Sequence, residues 1–492
     1  MRMILPCACV TCEPRRAAAV DCPCGAATMI PAMKRDFTHA LPYATKILDA
    51  WLPYKIQYDR IPGLAVGIVY QGKLVYQRGF GYADVDANIP VTPNTGFRIA
   101  SISKTFTAVA IMQLVEQGKI ALDDRVEKYV PWFRARTKDA DSKNITIRQL
   151  LAHTGGIWRD GDTAHWEDGI FPDHAALKKS FSRQALVFEN LTRFKYSNFG
   201  FALLGEVIAN VSGEHYDEYV TTHLIAPLGM TRTAPDFKKE HDAWLAKGYG
   251  RPIPHTARET ITPTPTYAYA PAAGFLSTVP DLAKYLAALS LAQKKENLLV
   301  HNESKKKLMR KHGGTGVAHE WYGLGFEIST IAQRKIVGHG GLCAGFGTHL
   351  SLDVENDLGV IVLTNTYESS CEALAVGIFE TLYYFADEKR ALRKASKISA
   401  QEKFEGAYRS REEDRMVVGV DTALLAFSPQ THSPTKSATV LTQKGRATFL
   451  METKSNYSAQ GEKAVFHFGR KGGRATMLML ATTPLKRITS GR

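Results

Sequence analysis

Ser101 and Lys104 stand one helical turn apart in the stretch FRIASISKTFTA, where an apolar approach gives way to a helical pattern. A serine hydroxyl is a poor nucleophile until a base removes its proton. A lysine at i+3 lies on the same helix face and can be that base if burial and positive neighbours lower its pKa. The placement is otherwise unfavourable, because a cation in the first turn opposes the helix dipole. The pair therefore points to nucleophilic chemistry, with backbone N–H groups at the helix start available to an oxyanion. The same S-x-x-K spacing recurs at Ser304 and Lys307 and at Ser433 and Lys436. Both repeats fall in polar, lysine- or proline-bearing segments that read as solvated surface or loop.

Such a site also needs a second proton-transfer group and a wall that orients the substrate. In KYSNFGFALLGEVIANVSG, Tyr196 and Asn198 precede an apolar helical run. Capping of that helix alone would account for the asparagine, with Tyr196 packed beneath it. Further on, His339-Gly340-Gly341 falls on a predicted strand, where glycines permit close approach of a ligand to the backbone. A competing His-Gly-Gly at residues 312–314 sits among polar residues before WYGLGFEIS and reads as a loop.

The elements that would hold these residues follow from periodicity. GLAVGIVYQGKLVYQRGFGYAD, from Gly63, reads as a hairpin turning at Gln71-Gly72. From Ser101 apolar residues recur at helical spacing until Gly118. The middle third is mainly helical, with polar or proline-rich insertions at 158–179 and 251–266. Strand patterns return in KIVGHGG, GFGTHLSLD and LGVIVLTN, and a helix follows over 369–390. Strands at both ends of a helical middle predict an antiparallel sheet completed by distant parts of the chain. After the charged stretch 391–403, short strand-like pieces over 404–492 read as a separate small all-β domain, a candidate closed barrel.

Composition bounds the class. At 492 residues, 45% hydrophobic and 22% charged, the chain is an ordinary globular protein with room for two or three domains. No apolar run approaches the roughly 20 residues that span a bilayer. The net charge of +14 raises nucleic acid as a partner, yet the basic residues are scattered and no recognition motif accompanies them. Cys7, Cys9, Cys12, Cys22 and Cys24 crowd a leader, residues 1–36, and leave Cys343 and Cys371 in the body. Their spacing offers only one C-x-x-C, Cys9 to Cys12, and not the two pairs usual in structural zinc sites, so a disordered leader is expected rather than a metal site or cofactor. Prolines interrupt the leader and no apolar h-region is present, so no secretory signal is read; a cytoplasmic or organellar setting is the expectation. Met29 and Met33 are alternative starts. Oligomeric state is left open.

The ordered set S-x-x-K, Y-x-N and H-x-G resembles the serine β-lactamase and penicillin-binding protein superfamily, most of all its class C β-lactamase and esterase branch. LLAHTGGI, PLGMTRT and AAGFLSTVPDLAKY support the likeness, which covers about residues 37–390. It implies an α+β, β-lactamase/transpeptidase-like fold: an antiparallel sheet flanked by helices beside an all-helical lobe, with the site between them. The trailing β domain resembles the lipocalin-like appendage of some relatives. By the same resemblance Ser101 would be the nucleophile, Lys104 its proton acceptor and Tyr196 the partner acid and base. Asn198 would contact the substrate amide or ester, His339, Gly340 and Gly341 would line its binding site, and the N–H groups of Ser101 and Leu342 would form the oxyanion hole. The expected partner is a small ester, amide or peptide. Alternatives are a β-lactamase, a D-amino-acid-specific peptidase, or an inactive scaffold of the same fold. The G-x-S-x-G elbow and the H-E-x-x-H motif are absent.

Overall fold

Strand Gly63–Tyr70 divides its side chains between two cores. Leu64, Val66, Ile68 and Tyr70 enter one, while Ala65 and Val69 enter the other. Its neighbour Leu358–Thr364 does the same, with Val360 and Val362 on one side and Ile361 and Leu363 on the other. Successive strand residues point to opposite faces, so a near-continuous apolar run is what a sheet covered on both faces requires. Helices Leu41–Tyr58 and Cys371–Asp387 cover the first face. On the other lie Ser103–Glu116, Asn198–Ser212 and Val279–Leu289.

The computed structural model describes residues 35–134, 144–162, 165–183, 185–189, 191, 193–292, 300–367, 370–387, 401–453, 460–470 and 472–488. The cysteine cluster, the alternative start methionines and the charged linker up to residue 400 lie outside the described residues. The sheet is antiparallel and nine-stranded. In order across it run Ile89–Pro90, Lys73–Asp84, Gly63–Tyr70, Leu358–Thr364, Phe346–Asp353, Arg334–Cys343, Glu327–Ile331, Trp321–Tyr322 and Gly313–Gly314. The expected join between distant parts of the chain is the pairing of Leu64 with Thr364 through Tyr70 with Leu358. One expectation is corrected: the His-Gly-Gly at 312–314 is not a loop, because Gly313–Gly314 pairs with Trp321–Tyr322 as the last strand of the sheet. An edge strand asks only for backbone groups, and His312 N–H donates to Tyr322 O at 2.8 Å, so composition alone hid it.

The C-terminal segment is a closed barrel of eight antiparallel strands, Gly406–Arg409 to Thr483–Arg487. Phe404, Tyr408, Phe449 and Phe466 fill its interior. The segment is the small all-β unit that the strand pattern predicts, with a core of its own, and part of its outer face is packed rather than free. Met416, Val418, Val420, Leu425 and Phe427 join the core formed by the sheet and helices Leu41–Tyr58 and Cys371–Asp387. Trp51 Nε1 donates to Pro429 O at 3.1 Å and Thr431 O at 3.2 Å, and Lys55 Nζ donates to Gln430 O at 3.0 Å. A Cβ on Gly377 would stand 2.0 Å from His432 O, so only glycine lets the barrel loop seat on the last helix.

Gly377→Ala is therefore expected to lower stability by about 1–3 kcal/mol through overpacking of this seam. Ending the chain at Lys403 should bare the shared core and cause aggregation. Thermal unfolding and light scattering check both; a truncated chain that stays monomeric with a native Tm would show that the seam contributes little.

Candidate active site

Ser101 lies in a 3₁₀ turn, Ala100–Ile102, that leads into helix Ser103–Glu116. Ala100, just before it, has a φ of +47°. A residue with a Cβ is disfavoured there by roughly 1–2 kcal/mol and persists only where its surroundings fix it. Here they do. Ser103 Oγ donates to Ala100 O at 2.5 Å and accepts Phe275 N–H at 3.1 Å, while Ile102 N–H donates to Ile99 O at 3.1 Å. The turn leaves Ser101 half-buried and Lys104 fully buried one turn on.

Lys104 Nζ makes three contacts: Ala272 O at 2.7 Å, Asn198 Oδ1 at 2.7 Å and Ser101 Oγ at 3.0 Å. The first two are pure acceptors. Asn198 Nδ2 donates to Asp160 Oδ1 at 2.6 Å, which fixes the amide with its oxygen toward the lysine. A neutral amine has two hydrogens for those acceptors and one lone pair left for the serine hydroxyl. Burial drives the Lys104 pKa well below the usual lysine value, Arg159 adds to this, and Asp160 and Glu327 oppose it. Burial thus favours a neutral Lys104, and in that form the lone pair left by the two acceptors faces Ser101.

Tyr196 Oη donates to the same Ser101 Oγ at 2.9 Å. Enclosure raises its pKa far above the ordinary phenol value, against the effect of the serine bond, so its proton stays on at neutral pH. Its position depends on the start of helix Asn198–Ser212. Ser197, not Asn198, is the N-cap there: its Oγ accepts Gly200 N–H at 2.8 Å. This corrects the capping explanation and leaves the Asn198 amide wholly engaged with Lys104 and Asp160. The expected substrate contact is not what this geometry offers; Asn198 is buried and orients the lysine.

The late strand Arg334–Cys343 runs beside the serine turn. A Cβ on Gly341 would stand 2.3 Å from both Ile99 O and Thr348 Oγ1, so glycine is what permits this approach. Ser101 and Leu342, whose N–H groups are the candidate oxyanion donors, belong to the two segments brought together. His339 is buried, at 1% exposure. Its Nδ1 lies 2.6 Å from Gly340 O, and a carbonyl can only accept, so Nδ1 carries the proton. Nε2 then accepts from Tyr322 O–H at 2.8 Å. Burial, with Lys104 nearby, pushes the ring's pKa down to about 3. Gly340 N–H donates to Glu327 Oε2 at 2.8 Å.

Sequence reasoning missed four contributors. Asp160 holds Asn198, and Trp166 Nε1 donates to the same carboxylate oxygen at 2.7 Å. The Ala272 carbonyl, within the supporting stretch AAGFLSTVPDLAKY, takes one lysine hydrogen. His153, in LLAHTGGI, accepts Ser197 N–H at Nδ1 (3.1 Å) and packs its ring 4.3 Å from that of Tyr196. Glu327 occupies the strand edge. The repeated S-x-x-K pairs are elsewhere: Ser304 is on helix Asn302–Leu308 and Ser433 precedes a turn of the barrel.

Comparison with known proteins follows the same lines. Residues 48–379 match the family model described as Beta-lactamase. Protein flp of Staphylococcus aureus (strain COL) is 30% identical over 328 residues, 65% of this chain and 62% of that protein. The chain thus spans less than two thirds of that relative's length. Putative penicillin-binding protein PbpX of Bacillus subtilis (strain 168) is 30% identical over 300 residues, 61% of this chain and 69% of that one. Among solved structures, the octameric penicillin-binding protein homologue from Pyrococcus abyssi matches with a TM-score of 0.61 at 26% identity. That match covers 90% of this chain and 99% of the other, so it takes in part of the barrel as well.

Two histidines set an acid limit on stability. Desolvation holds buried His339 down to about 3 and half-buried His349 to about 4. In the unfolded chain each titrates near 6.5. Between those values the unfolded state binds more protons, so stability is full above about pH 6.5 and falls as pH drops toward 4. The slope is up to about 1.4 kcal/mol per pH unit for each ring. Tm should fall between pH 7 and 5, and His339→Gln should flatten that fall even if its Tm at pH 7 is lower. An equal slope in the variant would rule out this account.

Proposed function

The chain belongs to the beta-lactamase family, and we propose that it is a serine hydrolase working through an acyl-enzyme at Ser101 on esters, small amides or peptides. One observation carries the reading: Lys104 Nζ and Tyr196 Oη converge on Ser101 Oγ, at 3.0 Å and 2.9 Å; as a neutral amine Lys104 accepts the serine proton while Tyr196 donates its own. Lys104 takes the serine proton as Oγ bonds to the substrate carbonyl carbon. The N–H groups of Ser101 and Leu342 receive the oxyanion. When the tetrahedral centre collapses, Tyr196 protonates the departing oxygen or nitrogen and is resupplied from the Lys104 ammonium. Water then repeats the sequence on the acyl-enzyme, with the same pair taking its proton.

The substrate class follows from the late strand. Penicillin-recognising relatives typically carry Lys-Thr-Gly or Lys-Ser-Gly there, where the cation and hydroxyl help hold a substrate carboxylate. His339 is neutral and enclosed, and Gly340 offers no hydroxyl. A carboxylate there lacks a charge-assisted hydrogen bond worth roughly 1.5–3 kcal/mol, about a tenfold to hundredfold penalty. This favours esters and small amides over β-lactams. An inactive scaffold is disfavoured because each of the three motifs is intact and assembled.

Ser101→Ala is expected to abolish turnover with the fold intact, while Ser304→Ala and Ser433→Ala leave it unchanged. Tyr196→Phe should lose on the order of 10²–10⁴ in rate. Lys104→Arg should be inactive, because a guanidinium cannot give up its proton. The measurements are kcat/KM for p-nitrophenyl butyrate, a D-alanyl amide and nitrocefin on one preparation. Nitrocefin as far the best substrate would defeat the specificity argument; near-native activity in Ser101→Ala would defeat the mechanism.

A further inference from the structure

A cavity of about 350 Å³ opens beside Tyr196 and His339. Three carboxylates line it, those of Glu320, Glu327 and Glu372, and no lysine or arginine is among its described lining residues. The histidines in its wall, His339 and His349, are held neutral by burial. Glu327 and Glu372 both have raised pKa values, through desolvation by the cavity wall first, although the Glu327 side chain stays 45% exposed and Glu372 is exposed; for Glu372 the charges of Glu327 and Glu320 add to this. Lys311 is occupied outside the lining, its ammonium 3.1 Å from the centre of the Trp321 ring. Ser351 is a second, independent sign of a ligand. It lines the same cavity and is 1% exposed, and its Oγ has no hydrogen-bond partner. Such a buried hydroxyl is an expensive group to leave unsatisfied. Phe194 and Tyr322 add aromatic surface, which attracts cations through the ring quadrupole.

The topology ties this cavity to the reaction. Strand Glu327–Ile331 begins at Glu327, opposite Gly338. Beyond that point its neighbour has no partner strand on this side, and the Glu327 carboxylate takes the Gly340 N–H instead. Glu327 thus stands where the stretch Gly340 to Leu342, flanking Ser101, runs into the cavity. Tyr196 links the two, with its hydroxyl on Ser101 and its ring in the cavity wall. In the proposed mechanism Tyr196 protonates the leaving group, so that part of the substrate lies nearest the acidic wall.

We propose that this cavity is a cation subsite that receives an ammonium group carried on the leaving-group side of the substrate, held by Glu327, Glu320 and Glu372 against the aromatic rings. The assignment of side rests on the serine-hydrolase reading; the cation site itself does not. It makes the preferred substrates aminoalkyl or quaternary-ammonium esters and the corresponding amides.

The test compares butyrylcholine with 3,3-dimethylbutyl butyrate, in which carbon replaces the nitrogen, using the full chain. The native protein should favour the cationic ester in kcat/KM by about tenfold or more. Glu327→Gln keeps an acceptor for Gly340 N–H, and should bring that ratio close to one; Glu372→Gln should shift it the same way by less. A native ratio at or below one, or a ratio unmoved by Glu327→Gln, overturns the proposal. Calorimetric binding of choline to Ser101→Ala separates the two readings. Binding weakened at least tenfold by adding Glu327→Gln supports the subsite, and absence of binding overturns it whatever the turnover. Choline binding without hydrolysis of either ester would sink the hydrolase reading and leave the subsite standing.

Discussion

Everything at the reaction centre depends on keeping one amine out of water. A buried lysine ammonium with no anion in contact is strongly disfavoured, and the protein resolves this by neutralising it. The neutral amine is useful only if its lone pair points at Ser101, and that direction is set by two acceptors, Ala272 O and Asn198 Oδ1. The asparagine can present its oxygen only because Asp160 holds its nitrogen. Asp160 is in turn held by Trp166 Nε1 and ion-paired with Arg159 at 3.0 Å. The constraint therefore runs from an exposed arginine inward to the nucleophile, through hydrogen bonds of fixed polarity.

The same economy of charge extends to the surroundings. His153, His339 and His349 could all be cations, and burial disfavours that form in each. Any cation here would raise the energy of a protonated Lys104 by like-charge repulsion. Neutral rings instead serve as fixed dipoles and packing surfaces around Tyr196. The strained turn at Ala100 belongs to the same design, since it sets the serine at the mouth of the cleft while the lysine stays inside.

The proposed catalytic trio stood out in the sequence because such chemistry asks for both residue type and spacing: a serine and a lysine one turn apart, then a tyrosine before an apolar helix. The hairpin, the late strands and the last helix were legible from periodicity. Asp160 was not, because an acid inside a polar insertion looks like any surface carboxylate until Asn198 and Trp166 are seen to share it. Glu327 was hidden for a related reason: its role comes from where a strand begins, and sequence places such boundaries poorly. Capping, the alternative explanation for Asn198, is excluded because Ser197, one residue earlier, takes that position. The barrel strands were visible in outline, but the outward-facing Val418, Val420 and Leu425 read the same whether they meet solvent or another core.

The pairing of Gly63–Tyr70 with Leu358–Thr364 has a consequence for how the chain is made. At about 5–20 residues per second, the ribosome needs roughly 15–60 s to deliver the second strand after the first. Throughout that interval the first strand has its hairpin partner Lys73–Asp84 on one edge only, and its other edge is apolar and open. Such an edge invites pairing with the wrong chain. The nascent protein thus carries its serine and lysine long before it has the late strand beside them. Synthesis passes through an extended period in which this strand edge is unpaired and the serine turn lacks its neighbouring strand.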